Sequence, residues 1–349
     1  MNADKFLGGL LGGAIGDAWG APVEVFTPEQ IFKVHPAGVP HYVEPICHKF
    51  FKPEDLPLGT ITDDTQTTLA TLLAVIVRGF DMDTIAMAHI QCMRDGTLGF
   101  GKSTLEAMQR LQNGVAWSKS GKSDIPGRGY GNGIPMKCFP LAAWHVTEDG
   151  KWVTNFNQQM VKFAAMTHYT KMAAMSGIVH AYALEYCLTH DAETFDRDEF
   201  LYAISHHPFE WARIPSHPKT FNVDYLEDSD DHLQAPLMVL WDYRHEIPHW
   251  SVDKIRGLFG NGSPYVYNTL PFCYAFFYQN PYSFDTGRKV IEAGGDTDTN
   301  AKIVLEMIGA LHGQSIFWTD ENSWAPQGLL CREQLMTAGN TFCRRYHLL

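Results

Sequence analysis

The sequence predicts an all-α fold in a single domain, and three observations carry that reading. Apolar residues recur at helical spacing along most of the chain, strand-like alternation is nearly absent, and no rhythm of short strands alternating with helices appears. Hydrophobic residues make up 45% of the 349 and charged residues 19%, which suits a folded chain with a substantial core. No low-complexity linker or solenoid period divides the sequence, so residues 1–349 read as one unit.

Helical spacing, with start and stop signals, places the elements at 4–20, 63–79, 82–94, 103–112, 135–145, 155–167, 170–189, 196–205, 233–246, 252–258, 264–279, 284–293 and 297–312. In the first, Gly8, Gly12, Gly16 and Gly20 fall four residues apart and form a bare stripe. Each costs about 1 kcal/mol of helix stability relative to alanine. Close helix–helix contact accounts for such a stripe, and it also brings Asp17 and Glu24 towards something buried. Three stretches break the periodicity. Residues 35–60 carry five prolines among aromatics, 113–134 is glycine-rich, and 206–232 ends in the acidic YLEDSDDH. Long loops with aromatics read as ordered lids around a site.

The net charge of −12 and the absence of any Lys/Arg run argue against a nucleic-acid footprint. Seven scattered cysteines, odd in number and without a CxxC, suit free thiols in a reducing compartment. The N-terminal MNADKFLGGLLGGAIGDAWGAP contains Asp4, Lys5, Asp17 and six glycines by residue 20, so it reads as part of the fold and not as a signal peptide. No run of 18 apolar residues exists to span a membrane. A cytoplasmic monomer is the expectation.

Two acidic helix starts stand out: ITDDTQTTLA (61–70) and GGDTDTNA (294–301). Helix capping by Thr62 and by Asp296 or Thr297, with acids near the positive end of the dipole, explains part of each. It leaves the adjacent carboxylates and the repetition unexplained. Asp63/Asp64 and Asp296/Asp298 repel if they converge in a dry cleft, and no lysine or arginine is expected nearby. Shared protons or a cation relieve such crowding. Carboxylate and hydroxyl oxygens suit hard cations such as Mg²⁺ or Mn²⁺, and four Asp with three Thr are more than one such ion needs. Two ions follow. HEIPH (245–249) matches the zinc-protease pattern, but Pro248 breaks the helix that pattern requires, so it reads as a helix end. GRGYGNG (127–133) misses the dinucleotide fingerprint and follows no strand; its N–H groups suit close approach to a phosphate.

Together LGGAIGDAWGAPVE (11–24), TDDTQ (62–66), GNGIPMK (131–137), THYTKMAAMSG (167–177) and GGDTDTNAKIVLEMIGALHG (294–313), with the looser GNGSPYVYNTLPFCYAFF (260–277), resemble the ADP-ribosylglycohydrolase family. The resemblance implies a compact orthogonal all-α bundle holding two Mg²⁺ or Mn²⁺ ions at the base of an ADP-ribose cleft. By matching position it implies Thr62, Asp63, Asp64, Asp296, Asp298 and Thr299 as metal ligands, with Glu24 as a mobile acid closing the site. The loop Gly131, Asn132, Gly133, Ile134, Pro135, Met136 and Lys137 is implied to wrap the diphosphate and distal ribose, with His168 and Tyr265 nearby. The chain departs from the family where that loop ends in Ile-Pro-Met-Lys, since lysine keeps a charge but not arginine's bidentate fork. The residues after His168 are also atypical.

The implied reaction is metal-dependent hydrolysis of the bond between ADP-ribose and a modified protein side chain, arginine first. It passes through an oxocarbenium-like state, with Asp63, Asp64 or Glu24 as acid or base; Asp63 and Glu24 are favoured. Other ADP-ribosyl conjugates (serine, O-acetyl-ADP-ribose, nucleic acid) and a non-catalytic ADP-ribose-binding or structural relative are the alternatives.

Overall fold

The computed structural model describes residues 1–46, 56–96, 98–147, 152–212, 226–227 and 232–349. Among them no β-strand forms; two isolated bridges join Gly131 to Tyr265 and Thr170 to Glu227. The N-terminal helices are Ala3–Gly20 (α1), Pro28–Val34 (α2), Asp63–Arg78 (α3), Met82–Arg94 (α4), Lys102–Gln112 (α5) and Trp117–Ser120 (α6). Phe139–Thr147 (α7), Trp152–Thr167 (α8), Lys171–Thr189 (α9), Arg197–Ser205 (α10), His207–Ala212 (α11) and Gln234–Asp242 (α12) follow. The chain closes with Val252–Leu258 (α13), Val266–Gln279 (α14), Asp285–Glu292 (α15), Thr297–His312 (α16), Trp324–Gly328 (α17) and Arg332–Arg345 (α18).

Local chemistry sets many of these boundaries. Asn2, Asp81, Thr170, Asp196 and Ser251 each accept a hydrogen bond from a backbone N–H in the first turn of the helix that follows. The helix expected at 135–145 splits into a 3₁₀ turn, Pro135–Lys137, and α7. Pro140 falls at the second position of α7, where its missing N–H is no loss. The expected 233–246 helix stops at Asp242, and Ile247–His249 around Pro248 is a 3₁₀ turn. Helices α2, α6, α11, α17 and α18 were not foreseen. The last is held by packing: Phe342 stacks on Phe6 at 4.2 Å, and Leu7 and Leu10 press on Gly339.

The centre of the molecule is the pair α1 and α16. Every residue from Lys5 to Gly20 and from Thr297 to Leu311 is buried. The glycine stripe places one backbone directly on the other. An added methyl at Gly12 would lie 2.8 Å from the Leu305 carbonyl carbon, at Gly16 2.5 Å from the Lys302 nitrogen, and at Gly20 2.5 Å from the Asp298 nitrogen. The Thr297 hydroxyl then closes the contact by donating to the Gly20 carbonyl, 2.7 Å. Around this pair pack α3, α7, α9, α14, α15 and α18. No described helix is long and apolar enough to cross a membrane. The expected lids lie partly outside the described residues: 47–55 of the first, and 213–225 with 228–231 of the second. The glycine-rich 113–134 stretch contributes Gly127 and Tyr130–Gly133 to the wall of a cavity.

Candidate active site

Asp17, one turn from the end of α1, is fully buried and builds the first half of the site. Its carboxylate accepts from the Thr62 hydroxyl (2.7 Å), the Thr62 N–H (3.0 Å) and the Thr65 N–H (2.9 Å). The cap of α3 is therefore supplied by α1, whereas Thr62 makes no side-chain cap of its own. That frees Asp63 and Asp64 for other duties. Both are nearly inaccessible, and the first turn is braced by Thr67 and Thr68 hydroxyls donating to the Asp63 and Asp64 carbonyls at 2.7 and 2.8 Å.

The second half comes from α16. Gly294 and Gly295, with φ of 72° and 92°, turn the chain into the helix. Gly295 donates to the Phe26 carbonyl (3.0 Å), and its own carbonyl accepts from Val25 (2.7 Å). Val25 has φ 67°, a conformation costing a β-branched residue about 1–3 kcal/mol, and it follows Glu24. This strained corner sets Glu24 against the start of α16. Glu24, Asp296 and Asp298 place carboxylate oxygens within 4.8 Å of one another. Asp64 joins them, accepting from the Thr299 hydroxyl at 3.3 Å. Asp296 also accepts from the Asn132 amide, which ties the 131–133 loop to the acidic cluster.

Crowding shows in the acidities. Burial, then Asp296, Asp63 and Asp17, raise Glu24 to about 8; burial, then Asp17 and Asp296, raise Asp63 to about 8. Burial raises Asp296 only to about 6, because Asn132 and Thr299 hydrogen bonds offset it. Asp64 and Asp298 are pushed well up by burial and by the neighbouring carboxylates. Among the described residues the Asp64 Oδ1 is buried without a hydrogen-bond partner. Converging carboxylates, an orphaned oxygen and hydroxyls make an all-oxygen donor set that fits hard divalent cations.

The acids line a cavity of about 580 Å³. Of the residues singled out from sequence, Glu24, Asp63, Asp64, Gly131, Asn132, Gly133, Met136, His168, Tyr265, Asp296, Asp298 and Thr299 line it. Thr62 stands behind them on Asp17, and Ile134 and Pro135 sit in the core side of the loop. Lys137 was expected against the diphosphate, but it is fully buried and directed at Thr167, 3.1 Å, so the wall does not include it. The lining lysine is Lys102, at the start of α5 beside Ser103 and Thr104. Sequence reasoning missed it, although the glycines at 99 and 101 ahead of an amphipathic helix were a visible sign.

Two further residues were missed. Asp17 was noticed only as the end of a stripe. Lys302 corrects the expectation that no base lies near the motifs: it is one turn beyond Asp298, on the same helical face. Its ammonium is 3.3 Å from Glu306, whose other oxygen is 3.3 Å from His180 Nε2, and His180 Nδ1 lies 3.2 Å from the Tyr274 hydroxyl. Gly13 makes room, since a methyl there would lie 2.9 Å from the Lys302 nitrogen. Burial pushes the Asp17 and Asp64 carboxyls up, and the Lys302 ammonium pulls both pKa values back down against that larger effect.

An all-helical bundle that turns two distant acidic helix starts into one cavity wall defines a narrow class of protein. The chain belongs to the ADP-ribosylglycohydrolase family, whose pattern matches residues 2–325. It is similar to the ADP-ribosyl-[dinitrogen reductase] glycohydrolase of Rhodospirillum rubrum, 28% identical over 141 residues. That match covers 40% of this chain and 44% of the relative, less than half of either. A solved ADP-ribosylglycohydrolase-related protein complex shares the fold, with a TM-score of 0.70 at 23% identity, over 99% of this chain and 98% of the other.

Proposed function

We propose that the chain is a metal-dependent hydrolase that cleaves the glycosidic bond between ADP-ribose and a modified protein side chain, arginine first. The observation that carries this reading is the convergence of Asp63 and Asp64 with Asp296 and Asp298 in one cavity, within a chain of this family. Asp63, Asp64, Asp296, Asp298 and Thr299, with Thr62 behind them, would hold two Mg²⁺ or Mn²⁺ ions, and Glu24 would close the site. Bound there, such ions supply charge to hold ribose hydroxyls and a water of lowered pKa.

The chain's own residues do the rest. Asn132 fixes the Asp296 carboxylate, and Asp17 fixes the start of α3, so the acids meet the ligand pre-positioned. Glu24 or Asp63 takes the proton of the attacking water and returns it to the leaving group as the C1″ bond opens through its oxocarbenium-like state. The bare Gly131 and Gly133 permit close approach of the ligand, and Lys102 with the α5 N-terminus offers positive charge for its phosphates in the same cavity wall. A cationic guanidinium leaving group suits a carboxylate-rich end, and the bacterial relative is named for acting on ADP-ribosyl-[dinitrogen reductase].

The test is release of ADP-ribose from ADP-ribosylated arginine, serine, DNA base and O-acetyl-ADP-ribose, each with Mg²⁺, Mn²⁺ or EDTA. Arginine is expected to be the best substrate, with activity lost on prolonged chelation. Full activity in metal-free protein would sink the mechanism, and ADP-ribose binding without release of any leaving group would identify a non-catalytic relative.

A further inference from the structure

Lys137 has a ligand-loop position and no view of the ligand cavity. Its ammonium donates to the Thr167 hydroxyl at 3.1 Å and lies 5.2 Å from the centre of the Phe163 ring. Thr167, itself fully buried, has that same oxygen 3.0 Å from His168 Nδ1. An ammonium has protons but no lone pair, so the first bond runs only from lysine to threonine. Among the described residues the sole remaining partner for the threonine proton is His168 Nδ1. If Nδ1 carried a proton instead, the buried hydroxyl would accept twice and its own proton would be stranded, which is costly. Nδ1 therefore accepts, and in the neutral ring the proton sits on Nε2.

That second nitrogen faces the cavity. His168 is 3% exposed and lines the wall, and among the described residues no protein group bonds its Nε2. It looks past the two bare glycines of the loop: a methyl would lie 3.8 Å from it at Gly131 and 2.9 Å from it at Gly133. Burial, then the Lys137 charge, pull the imidazole down to about 3, so it is neutral at working pH. Burial also draws the Lys137 ammonium down to about 7, against the pull of Asp63. At pH 6 the lysine is charged and the histidine is not.

We propose that Lys137 is a positioning residue: through Thr167 it fixes His168 as the Nε2–H tautomer, so that the ring aims one uncharged donor at an acceptor oxygen of the ADP-ribosyl ligand. The lack of charge has a purpose beside so many carboxylates, because an imidazolium in this wall would pair with an acid and be lost to the ligand. The identity of the ligand rests on the proposed function; the tautomer does not.

The experiment is two-bond ¹H–¹⁵N correlation spectroscopy of the ¹⁵N-labelled protein at pH 6, with the His168 signals assigned by their loss in His168→Gln. The unaltered protein is expected to show protonated Nε2 and bare Nδ1. In Lys137→Met and Thr167→Val the Nδ1–H form should rise and the Kd for ADP-ribose should weaken about tenfold, while Lys137→Arg keeps the original tautomer. Either an Nδ1–H ring in the unaltered protein, or a tautomer unmoved in both Lys137→Met and Thr167→Val, overturns the relay. Failure of ADP-ribose to bind the unaltered protein, with the tautomer as stated, overturns the functional reading and the ligand half of the proposal.

Discussion

Replacing Gly16 by alanine sets two effects of opposite sign against each other. As a mid-helix glycine, Gly16 costs α1 about 1 kcal/mol relative to alanine, so on propensity alone the substitution stabilises. The new methyl, however, would lie 2.5 Å from both the Ala301 carbonyl carbon and the Lys302 nitrogen. These are backbone atoms of a fully buried helix, and they cannot rotate aside. Ordinary contact begins near 3.4 Å, so α1 and α16 must give way by about 0.9 Å. Overpacking of this kind costs about 1–3 kcal/mol, and a rigid neighbour puts it at the upper end. The net is a loss of about 2 kcal/mol. With about 2.1 cal/mol/K per residue of unfolding entropy and 349 residues, that lowers Tm by about 3 °C. Activity should fall by more than stability does, because Lys302 belongs to the turn that carries Asp298 and Thr299. Gly257, in α13 with nothing within 4 Å of an added methyl, is the control. Gly257→Ala should gain about 0.5 kcal/mol, as a compatible glycine does. Calorimetry of the two variants decides the matter: a Gly16→Ala protein as stable as the unaltered one would refute the contact argument.

Asp298→Ala is expected to abolish turnover while the circular dichroism stays helical, because it removes one carboxylate from a cluster that repels itself; loss of the folded signal would contradict this. In EDTA the chain should melt at a lower temperature at pH 8 than at pH 5. Glu24 and Asp63 are raised in the folded state to about 8 from ordinary carboxyl values near 4, so the fold binds extra protons across that window, and the stability they lend below pH 4 is lost as pH rises through 8. Added Mg²⁺ at about a hundred times its Kd should restore about 2.7 kcal/mol and flatten the pH profile; a profile already flat in EDTA would argue against clustered acids.

The helices that sequence revealed best are those whose apolar pattern is long, such as 171–189 and 297–312, where burial on all sides leaves little room for another reading. Helix α18 was missed because Gly339, Asn340 and Thr341 weaken its local signal; what holds it is Phe342 against Phe6, a contact between residues at opposite ends of the chain. The acids were legible because chemistry forced them together in type and spacing. Their supports were not. Asp17 caps a helix 45 positions away, and no local pattern announces a cap delivered from another element. The inward turn of Lys137 depends on Thr167 lying on a different helix, so its residue type suggested a ligand contact that its place in the packing denies it.

The α1–α16 pairing also bears on the order in which the molecule can be assembled. The Gly20 carbonyl meets the Thr297 hydroxyl 277 residues later, and the Asp4 carboxylate meets the Gln314 nitrogen 310 residues later. Contacts of such separation form late and slow folding, since the chain entropy of closure comes before any reward. During synthesis the glycine face of α1 leaves the ribosome some 280 residues ahead of α16, the helix whose backbone it meets. Half of the acidic cluster waits with it, so the ion binding proposed above would report the arrival of α16 and not the synthesis of the N-terminal part alone.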